Sequence, residues 1–151
     1  MTKTLIRHAV SADFNTLLEI DESSFPRGIA YDADELAYFM YRAGAETIVA
    51  EEDGIIVAFL IMELHPTRRN ATIVTLDVRE RHRRSGYGSQ LLKRSEEMLT
   101  DYGVEFYDLQ VDVTNQSAIQ FYKKHGFRTV STLRHYYANK HDAFLMVKDL
   151  A

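Results

Sequence analysis

The chain has 151 residues and a formal net charge of −4, which suits a single domain over residues 1–151 and argues against a general affinity for nucleic acid. It contains no cysteine, which excludes disulfides, thiolate nucleophiles and cysteine-bound metals. The N-terminal segment lacks the apolar core of a signal peptide, and no stretch approaches the ~18 apolar residues of a membrane helix, so we expect a cytoplasmic protein with no membrane partner.

The first half of the chain predicts a strand, two helices and a strand hairpin. The segment TLIRHA alternates as a strand, and SADFNTLLEIDESSF has the apolar spacing of a helix. After a proline-containing loop, Asp32 with Glu35 forms a capping-box signal for a second helix that we expect to end at Gly44. Asp53–Gly54 between two apolar runs is a strong hairpin signal. The inward face of the first helix is predicted to contain Phe14, Leu17, Leu18 and Asp21.

The second half alternates strands and helices. ATIVTLDV predicts a fourth strand, residues 86–102 predict a helix that ends at Gly103, and EFYDLQVDV predicts a fifth strand. Residues 116–125 predict a short helix that ends at Gly126, and FRTVSTLRHYY and DAFLMVKDL predict the last two strands. The order β-α-α-β-β-β-α-β-α-β-β predicts an α/β fold with mixed strand pairing.

A concentrated basic segment, RERHRRSGYGSQLL, lies between the fourth strand and the following helix, although the chain is acidic overall. Arg83, Gly86 and Gly88 form the pattern R-x-x-G-x-G there. The first turn of a helix has unpaired N–H groups and a partial positive charge, so a glycine turn before it is suited to bind phosphate. The pattern is neither a P-loop nor a Rossmann turn. An ordinary tight turn and a nuclear-localisation segment are the alternatives.

Two segments resemble one known family. LDVRERHRRSGYGSQLL resembles the acetyl-CoA pyrophosphate motif of the GNAT superfamily of N-acetyltransferases, and NQSAIQFYKKHGF resembles its second motif, N-x-x-A-x-x-x-Y-x-x-x-G-F. A helix and a strand separate the two segments, as in that family, and the element order agrees over nearly the whole chain. The resemblance implies the GNAT fold, a mixed, mostly antiparallel sheet of about seven strands flanked by four helices, with acetyl-CoA as the acetyl donor. We expect no metal, because the histidines show no metal-binding spacing.

The resemblance also implies where the donor binds. The pyrophosphate would lie on backbone N–H groups of residues 84–89, and the pantetheine arm would pair like an added strand with residues 76–78. The arginines of the turn would add charge complementarity or be surface residues. Asn115 would contact the cofactor besides capping its helix, and Ala118 would let the cofactor pass close. The implied cofactor-binding residues are Leu76, Asp77, Val78, Arg83, Arg84, Ser85, Gly86, Tyr87, Gly88, Ser89, Asn115, Ala118 and Tyr122.

Tyr122 is the implied general acid, because the family places this hydroxyl beside the sulfur of acetyl-CoA. A phenol with a pKa of about 10 and a thiol with a pKa of about 8.5 differ by roughly 1.5 units, so complete proton transfer costs about 2 kcal/mol. A hydrogen bond to the developing thiolate would serve without complete transfer. A tyrosine on a short helix is otherwise most often an amphipathic core residue.

The end of the chain narrows the resemblance to one branch of the family. RHYYANKHDAFLMVKDL resembles the last hairpin of the ribosomal-protein-alanine and N-terminal alpha-amino acetyltransferases, and SSFP resembles their substrate loop. The resemblance implies that both segments flank a peptide groove, with Phe25, Pro26, Tyr136 and Tyr137 on the acceptor side. An ordinary hydrophobic hairpin and loop are the alternative.

The chain departs from this branch at the general base. The family places a glutamate or a histidine where this chain has Gln110, which cannot take a proton. Asp112 on the same strand face is either the nearest substitute or an unpaired, solvent-facing residue. Weaker candidates are Glu22, Glu63, Asp77 and His135. At pH 7, removing the proton from the ammonium group costs about 1.2 kcal/mol for an α-amine and about 4.6 kcal/mol for a lysine amine. A missing base therefore mildly favours an α-amine acceptor.

These observations predict an acetyl-CoA-dependent N-acetyltransferase that acts by direct attack in a ternary complex, since no serine lies in a nucleophile elbow. The first hypothesis for the acceptor is the N-terminal α-amine of a protein or peptide. The second is a small-molecule amine, such as a polyamine, an amino acid or an antibiotic, and the third is a non-catalytic CoA-binding module. The six histidines lack metal-binding spacing, and the oligomeric state, monomer or homodimer, is left open.

Overall fold

The computed structural model describes residues 1–65, 67 and 69–151. Its strands are β1 (Thr4–His8), β2 (Ala45–Glu52), β3 (Ile55–His65), β4 (Asn70–Val78), β5 (Phe106–Asp112), β6 (Arg128–Leu133) and β7 (Ala143–Asp149). Its α-helices are α1 (Phe14–Ser24), α2 (Ala33–Tyr41), α3 (Tyr87–Asp101) and α4 (Gln116–Lys124), with short 3₁₀ turns at Ser11–Asp13 and Glu80–His82.

In the part of the chain that the structure describes, the seven strands form one sheet in the order β1-β2-β3-β4-β5-β7-β6. Every neighbouring pair is antiparallel except β4 with β5, which is parallel. The predicted element order and the predicted mixed, mostly antiparallel α/β fold are therefore confirmed.

Local sequence signals set several element boundaries. Asp32 begins α2 through the predicted capping box, in which its side chain accepts from Glu35 N and the Glu35 side chain accepts from Asp32 N. Asp53 and Gly54 join β2 to β3 with φ angles of 51° and 83°, the geometry of a tight two-residue hairpin. Both signals depend on neighbouring residues alone, which is why they could be recognised in the sequence.

One helix ends earlier than predicted. α2 ends at Tyr41, because the backbone of Arg42 is already extended and its guanidinium pairs with Glu63 on β3. Gly44 has a φ of 87° in the following turn, where an added Cβ would lie 2.6 Å from the carbonyl oxygen of Leu64. This glycine therefore permits the close approach of the turn to β3. No helix within the described residues is long and apolar enough to span a membrane.

The sheet is covered on both faces, so the core has two layers. On one face Leu91 and Leu99 of α3 pack together with α4 residues against the sheet. On the other face Leu17 and Ile20 of α1 pack together with α2 residues. β3 lies between both layers, and its residues 56–62 are all buried, as expected for a strand covered on both faces.

β4 and β5 pair over a short stretch and then diverge. Their parallel ladder joins residues 70–73 to residues 106–109. β4 continues along β3 as far as Val78, and β5 continues along β7 as far as Asp112, so the sheet opens between them. A register shift against β3 makes Val74 an extra residue, and such a bulge bends the strand. Beyond this ladder β4 and β5 are not paired with each other, and we call this unpaired stretch in the middle of the sheet the β4–β5 gap.

Candidate active site

The turn after β4 has the backbone geometry of an anion site. The 3₁₀ turn Glu80–His82 leads from β4 to the exposed residues 83–86 and then to α3. Arg84 has a φ of 67°, and Gly86 has φ 89° and ψ 0° at the N-cap of α3. Left-handed residues in a turn direct backbone N–H groups into one concavity. The first turn of the fifteen-residue helix α3 adds its unpaired N–H groups to them. The turn thus fits a diphosphate.

The two glycines of the turn have different roles. Gly86 adopts a left-handed conformation that L side chains rarely adopt. Gly88 lies in the first turn of α3, where a Cβ would lie 3.4 Å from the ring of Phe121 on α4 and 3.7 Å from Val78. A Cβ at position 88 would therefore make only ordinary van der Waals contacts with α4 and the end of β4, so neither packing nor backbone conformation requires a glycine there. Close approach of a ligand, which the sequence suggested for both glycines, stays a prediction.

Most of the basic segment is engaged by the fold. Arg79 donates to a carboxylate of α1 at 2.9 Å, and His82 lies 2.7 Å from a carboxylate oxygen of β2. Arg83 donates to the last carbonyl oxygen of β4 at 3.0 Å, so it ties the turn to the strand. Arg81 and Arg84 are exposed, and no ion pair of theirs is found among the described residues. These two side chains remain available to a polyanionic ligand.

Three further residues of the turn, Ser85, Tyr87 and Ser89, differ in how far the fold engages their side chains. Ser85 is exposed. Tyr87 is buried, and its hydroxyl donates to Glu52 on β2 at 3.0 Å. Ser89 Oγ lies 2.9 Å from His125 Nε2 at the end of α4. The side chains of Tyr87 and Ser89 are engaged in contacts within the fold, so their backbone N–H groups are the donors that remain available to a diphosphate.

The β4 side of the gap presents a strand edge. Leu76 and Val78 are half-buried and pack against the layer under α3 and α4. Asp77 points to the opposite face of the sheet and is 1% exposed. Along this edge Asp77 can therefore contact a ligand through its main chain only, because its side chain lies on the opposite face of the sheet.

Helix α4 carries Tyr122. Asn115 caps the helix as predicted, with Oδ1 accepting from Ala118 N at 3.2 Å, which leaves its Nδ2 group for another contact. The Tyr122 ring is 7% exposed and is packed edge-on by Phe121 and Phe127, at centroid distances of 5.3 Å and 5.5 Å. These rings fix its orientation. Within the described residues the Tyr122 hydroxyl has no hydrogen-bond partner.

The environment of Tyr122 changes its acidity. Burial raises the pKa of the phenol, and Asp77 on β4 and Tyr137 in the β6–β7 loop raise it further. Complete proton transfer to a thiolate therefore costs more than the ~2 kcal/mol of a free phenol. The buried phenol is better suited to donate a hydrogen bond to a developing thiolate.

The two segments predicted on the acceptor side meet each other. The loop between α1 and α2 touches the loop between β6 and β7, because a Cβ placed at Gly28 would lie 2.8 Å from Asn139 Cβ. In the second loop the rings of Tyr136 and Tyr137 are perpendicular, with centroids 4.9 Å apart. Phe25 is half-buried and Pro26 is exposed in the first loop.

Tyr31, in the α1–α2 loop, belongs to this group although the sequence did not single it out. Burial raises the pKa of its phenol, and the neighbouring Tyr136 and Tyr137 contribute to the rise. Its hydroxyl lies 3.4 Å from the carbonyl oxygen of Val74, at the bulge of β4. An aromatic residue directly before an N-cap usually packs on its own helix, as Tyr31 does on Phe39 at 4.9 Å, and this local role gave no functional signal.

Gln110 lies half-buried on β5 between two engaged carboxylates. Asp108 is hydrogen-bonded to β4 side chains. Asp112 is 6% exposed, accepts from Thr114 N at 2.9 Å and lies 2.7 Å from His141 Nδ1. Burial alone would raise the pKa of Asp112, but the hydrogen bonds from Thr114 and His141 outweigh it and the pKa is lowered. Asp112 is thus not the unpaired, solvent-facing residue that the sequence allowed, and it is a weak proton acceptor.

A buried carboxyl pair lies between α1 and β4. Asp21 is fully buried on the predicted inward face of α1, and its Oδ2 accepts from Tyr31 N at 2.7 Å. Asp77 Oδ1 accepts from Thr75 Oγ1 at 2.5 Å. The remaining oxygens, Asp21 Oδ1 and Asp77 Oδ2, are buried and have no hydrogen-bond partner among the described residues. The sequence placed Asp77 among the weaker candidate bases, and no local motif indicates that α1 packs against β4.

Comparisons with known proteins agree with this geometry. A model of the acetyltransferase (GNAT) family matches residues 13–127. An N-alpha-acetyltransferase of Sulfurisphaera tokodaii is 33% identical over 160 positions, which cover 96% of this chain and 92% of the relative. The crystal structure of Ard1 from Thermoplasma volcanium has a TM-score of 0.88 at 25% identity, and the alignment covers 98% of each chain.

A more distant neighbour shows the same fold. The ribosomal-protein-S18-alanine N-acetyltransferase of Escherichia coli has a TM-score of 0.87 at 22% identity, with 99% of this chain and 95% of that chain covered. The family match runs from α1 to the end of α4, so it includes the turn after β4, the β4–β5 gap and Tyr122. The turn fits the diphosphate of acetyl-CoA, the donor of that family. The chain therefore belongs to the acetyltransferase (GNAT) family, and it is an acetyl-CoA-dependent N-acetyltransferase.

Proposed function

We propose that this enzyme transfers the acetyl group to the N-terminal α-amine of a protein or peptide. The observation that carries the proposal is the similarity over nearly the whole chain to a protein named N-alpha-acetyltransferase. The contact between the α1–α2 and β6–β7 loops supports it, since these two loops carry Tyr31, Tyr136 and Tyr137, which we call the aromatic wall. Gln110 also supports it, because an α-amine with a pKa of about 8 loses its proton more readily than a lysine amine with a pKa of about 10.4.

We assign the donor to the turn and to the β4 edge. The N–H groups of residues 84–89 would hold the diphosphate, and the exposed guanidinium groups of the turn would add positive charge. Residues 76–78 would offer the β4 edge, which has no β5 partner in the described chain, to the pantetheine arm. The free Nδ2 group of Asn115 would donate to the arm, and the small side chain of Ala118 would leave room for it.

The chain's own residues would then bring the two substrates together. Acetyl-CoA supplies an acetyl thioester. The aromatic wall, with Phe25 and Pro26 beside it, would hold the acceptor so that its amine nitrogen meets the acetyl carbon directly. Tyr122 would donate a hydrogen bond to the sulfur as the carbon–sulfur bond breaks. Gln110, which cannot take a proton, would position the amine or a water molecule.

The test follows CoA release with short peptides that differ in their first residues, each with a free and an acetyl-blocked N-terminus. We expect turnover with the free peptides and none with the blocked ones, including blocked peptides that contain lysine. Mass spectrometry of the product should locate the acetyl group on the N-terminal nitrogen. Free amino acids, polyamines and an aminoglycoside serve as comparison acceptors. Faster turnover of these small amines, or equal rates with blocked peptides, would overturn the proposal.

A further inference from the structure

One carboxylate of β2 contacts both ends of the turn that follows β4. Glu52 Oε2 lies 2.7 Å from Nε2 of His82, the last residue of the 3₁₀ turn Glu80–His82. Glu52 Oε1 accepts from the hydroxyl of Tyr87, the first residue of α3, at 3.0 Å. Residues 83–86 lie between these two contacts, and all four are exposed. A single side chain therefore holds the exposed part of the turn at both of its ends.

The hydrogen bonds to Glu52 explain why a histidine precedes the turn. A carboxylate only accepts, so His82 Nε2 and the Tyr87 hydroxyl are both donors. His82 Nδ1 is buried and has no hydrogen-bond partner in the part of the chain that the structure describes. A buried ring nitrogen without a partner costs free energy, which an apolar ring in the same place would not. The contact of Nε2 with Glu52 is therefore what the histidine offers beyond its packing on the Tyr87 ring.

The anchor is more firmly held than the turn that it contacts. Glu52 is the last residue of β2, and the backbone there is paired with Thr4 of β1 and with Ile55 of β3. Within the turn, Arg84 and Gly86 have φ angles of 67° and 89°, a region that an unrestrained chain seldom occupies. A loop that is already ordered in its binding conformation binds more tightly, because no ordering cost remains to be met on binding.

We propose that Glu52 is a positioning residue for the donor. It holds residues 83–86 in the conformation in which the backbone N–H groups of the turn receive the diphosphate of acetyl-CoA. This inference rests on the assignment of the donor to residues 84–89 under the proposed function. Glu52 acts through His82 and Tyr87, so its removal should weaken donor binding and leave the acetyl-transfer step unchanged.

Glu52→Ala tests the inference, because it removes both contacts. We expect the Kd for CoA and the KM for acetyl-CoA to rise about ten-fold, with kcat and the KM for the acceptor unchanged. In the free protein, the backbone amides of residues 83–89 should exchange with deuterium faster than in the wild type. Glu52→Gln can still accept from His82 and can donate to the Tyr87 oxygen, so it should recover most of the affinity. Tyr87→Phe removes one contact, keeps the ring and should give a smaller loss.

A matched control and a truncated donor separate positioning from a general effect. Glu46 lies on the same strand and accepts from the hydroxyl of Tyr102, at the other end of α3, at 3.2 Å. Glu46→Ala should bind CoA as the wild type does. S-acetylpantetheine carries the thioester and lacks the diphosphate, so its kcat/KM should be the same in the wild type and in Glu52→Ala.

Other results would overturn the inference. An unchanged Kd for CoA in Glu52→Ala would do so, and so would an equal loss of affinity in Glu46→Ala. A loss of equal size with acetyl-CoA and S-acetylpantetheine would mark a structural role. Thermal melting supplies the folding check, and Glu52→Gln with Tyr87→Phe carries the same comparison if Glu52→Ala does not fold. Equal kcat/KM values of the wild type for the two donors would instead overturn the donor assignment, so the two failures are distinguishable.

Discussion

The phenol of Tyr122 keeps its proton more tightly than a phenol in water, because its ring is buried and Asp77 lies near it. Tyr122→Phe removes the hydroxyl and keeps the ring that packs on Phe121 and Phe127. We expect kcat to fall about ten-fold or more, the range of general-acid contributions, with little change in the Kd for CoA. Steady-state kinetics and a CoA titration check this, and unchanged turnover would show that the acid assignment is wrong.

The two glycines of the turn offer a matched pair of variants. Gly86→Ala forces a side chain into the left-handed region and should cost about 1–2 kcal/mol of unfolding free energy, with weaker CoA binding. Gly88→Ala adds a methyl group at ordinary contact distance from Phe121 inside a helix turn, so stability should hold or rise by up to about 1 kcal/mol. Urea denaturation and a CoA titration measure both, and equal effects of the two substitutions would contradict the division of roles.

Sequence motifs identified some of these residues and could not identify others. Gly86, Asn115 and Tyr122 belong to segments whose spacing alone indicates a turn, a cap and a helix face. Asp21 and Asp77 are ordinary residues in their own segments, one on a helix face and one in an alternating strand. They influence each other because α1 packs against β4, and that contact follows from the fold of the whole sheet.

At the level of the elements, periodicity and turn signals were sufficient to predict the strand and helix order. The β4–β5 gap was not predictable in this way, because it depends on the partners of each strand. β4 follows β3 to its end, β5 follows β7, and Val74 is an extra residue in one register. A bulge of this kind has no distinctive residue type in ATIVTLDV, so the opening is visible once the strands are paired.

The end of β5 is tied to the acceptor-side loop by Asp112, which lies 2.7 Å from His141 Nδ1. Asp112→Asn should cost about 1–3 kcal/mol of unfolding free energy, because the buried hydrogen bonds lose their charged acceptor. The same loop contains Tyr136 and Tyr137, so the KM for the acceptor should rise more than the KM for acetyl-CoA. Equal changes in the two KM values would contradict this.

The pH dependence of that variant has a defined sign. The pKa of Asp112 is lowered in the folded protein, so its stabilisation is complete above the ordinary value of 3.8 and is lost as the pH falls through the lower, folded value. The difference in unfolding free energy between wild type and Asp112→Asn should therefore narrow from pH 6 to pH 3. Denaturation at both pH values measures it, and a constant difference would show that the charge of Asp112 does not contribute.

For the whole molecule, two groups of carboxyls act in opposite directions. The hydrogen bonds of Arg7 lower the pKa of Asp13, so this pair stabilises the fold above the ordinary aspartate pKa and the contribution is lost in acid. Asp21 and Asp77 have raised pKa values, so the folded chain retains a proton that the unfolded chain releases, and stability falls as the pH rises above the ordinary value.

The melting temperature should consequently be highest at weakly acidic pH. Asp77→Asn removes the carboxyl whose raised pKa makes stability fall as the pH rises. The pH at which the melting temperature is highest should therefore increase, with the largest gain in melting temperature at alkaline pH. Calorimetry from pH 4 to pH 9 measures both curves. A wild-type melting temperature that rises steadily up to pH 9 would contradict the assignment of a retained proton.

The parallel ladder between residues 70–73 and 106–109 is a short seam between two antiparallel halves of the sheet. A pantetheine arm along β4, as we propose, would fill the place where that ladder stops. Backbone amides on the open side of residues 74–78 should then exchange with deuterium more slowly when CoA is bound. Part of the rigidity of the β4 edge would then depend on the bound acetyl-CoA, and this edge would become more mobile each time the product CoA dissociates.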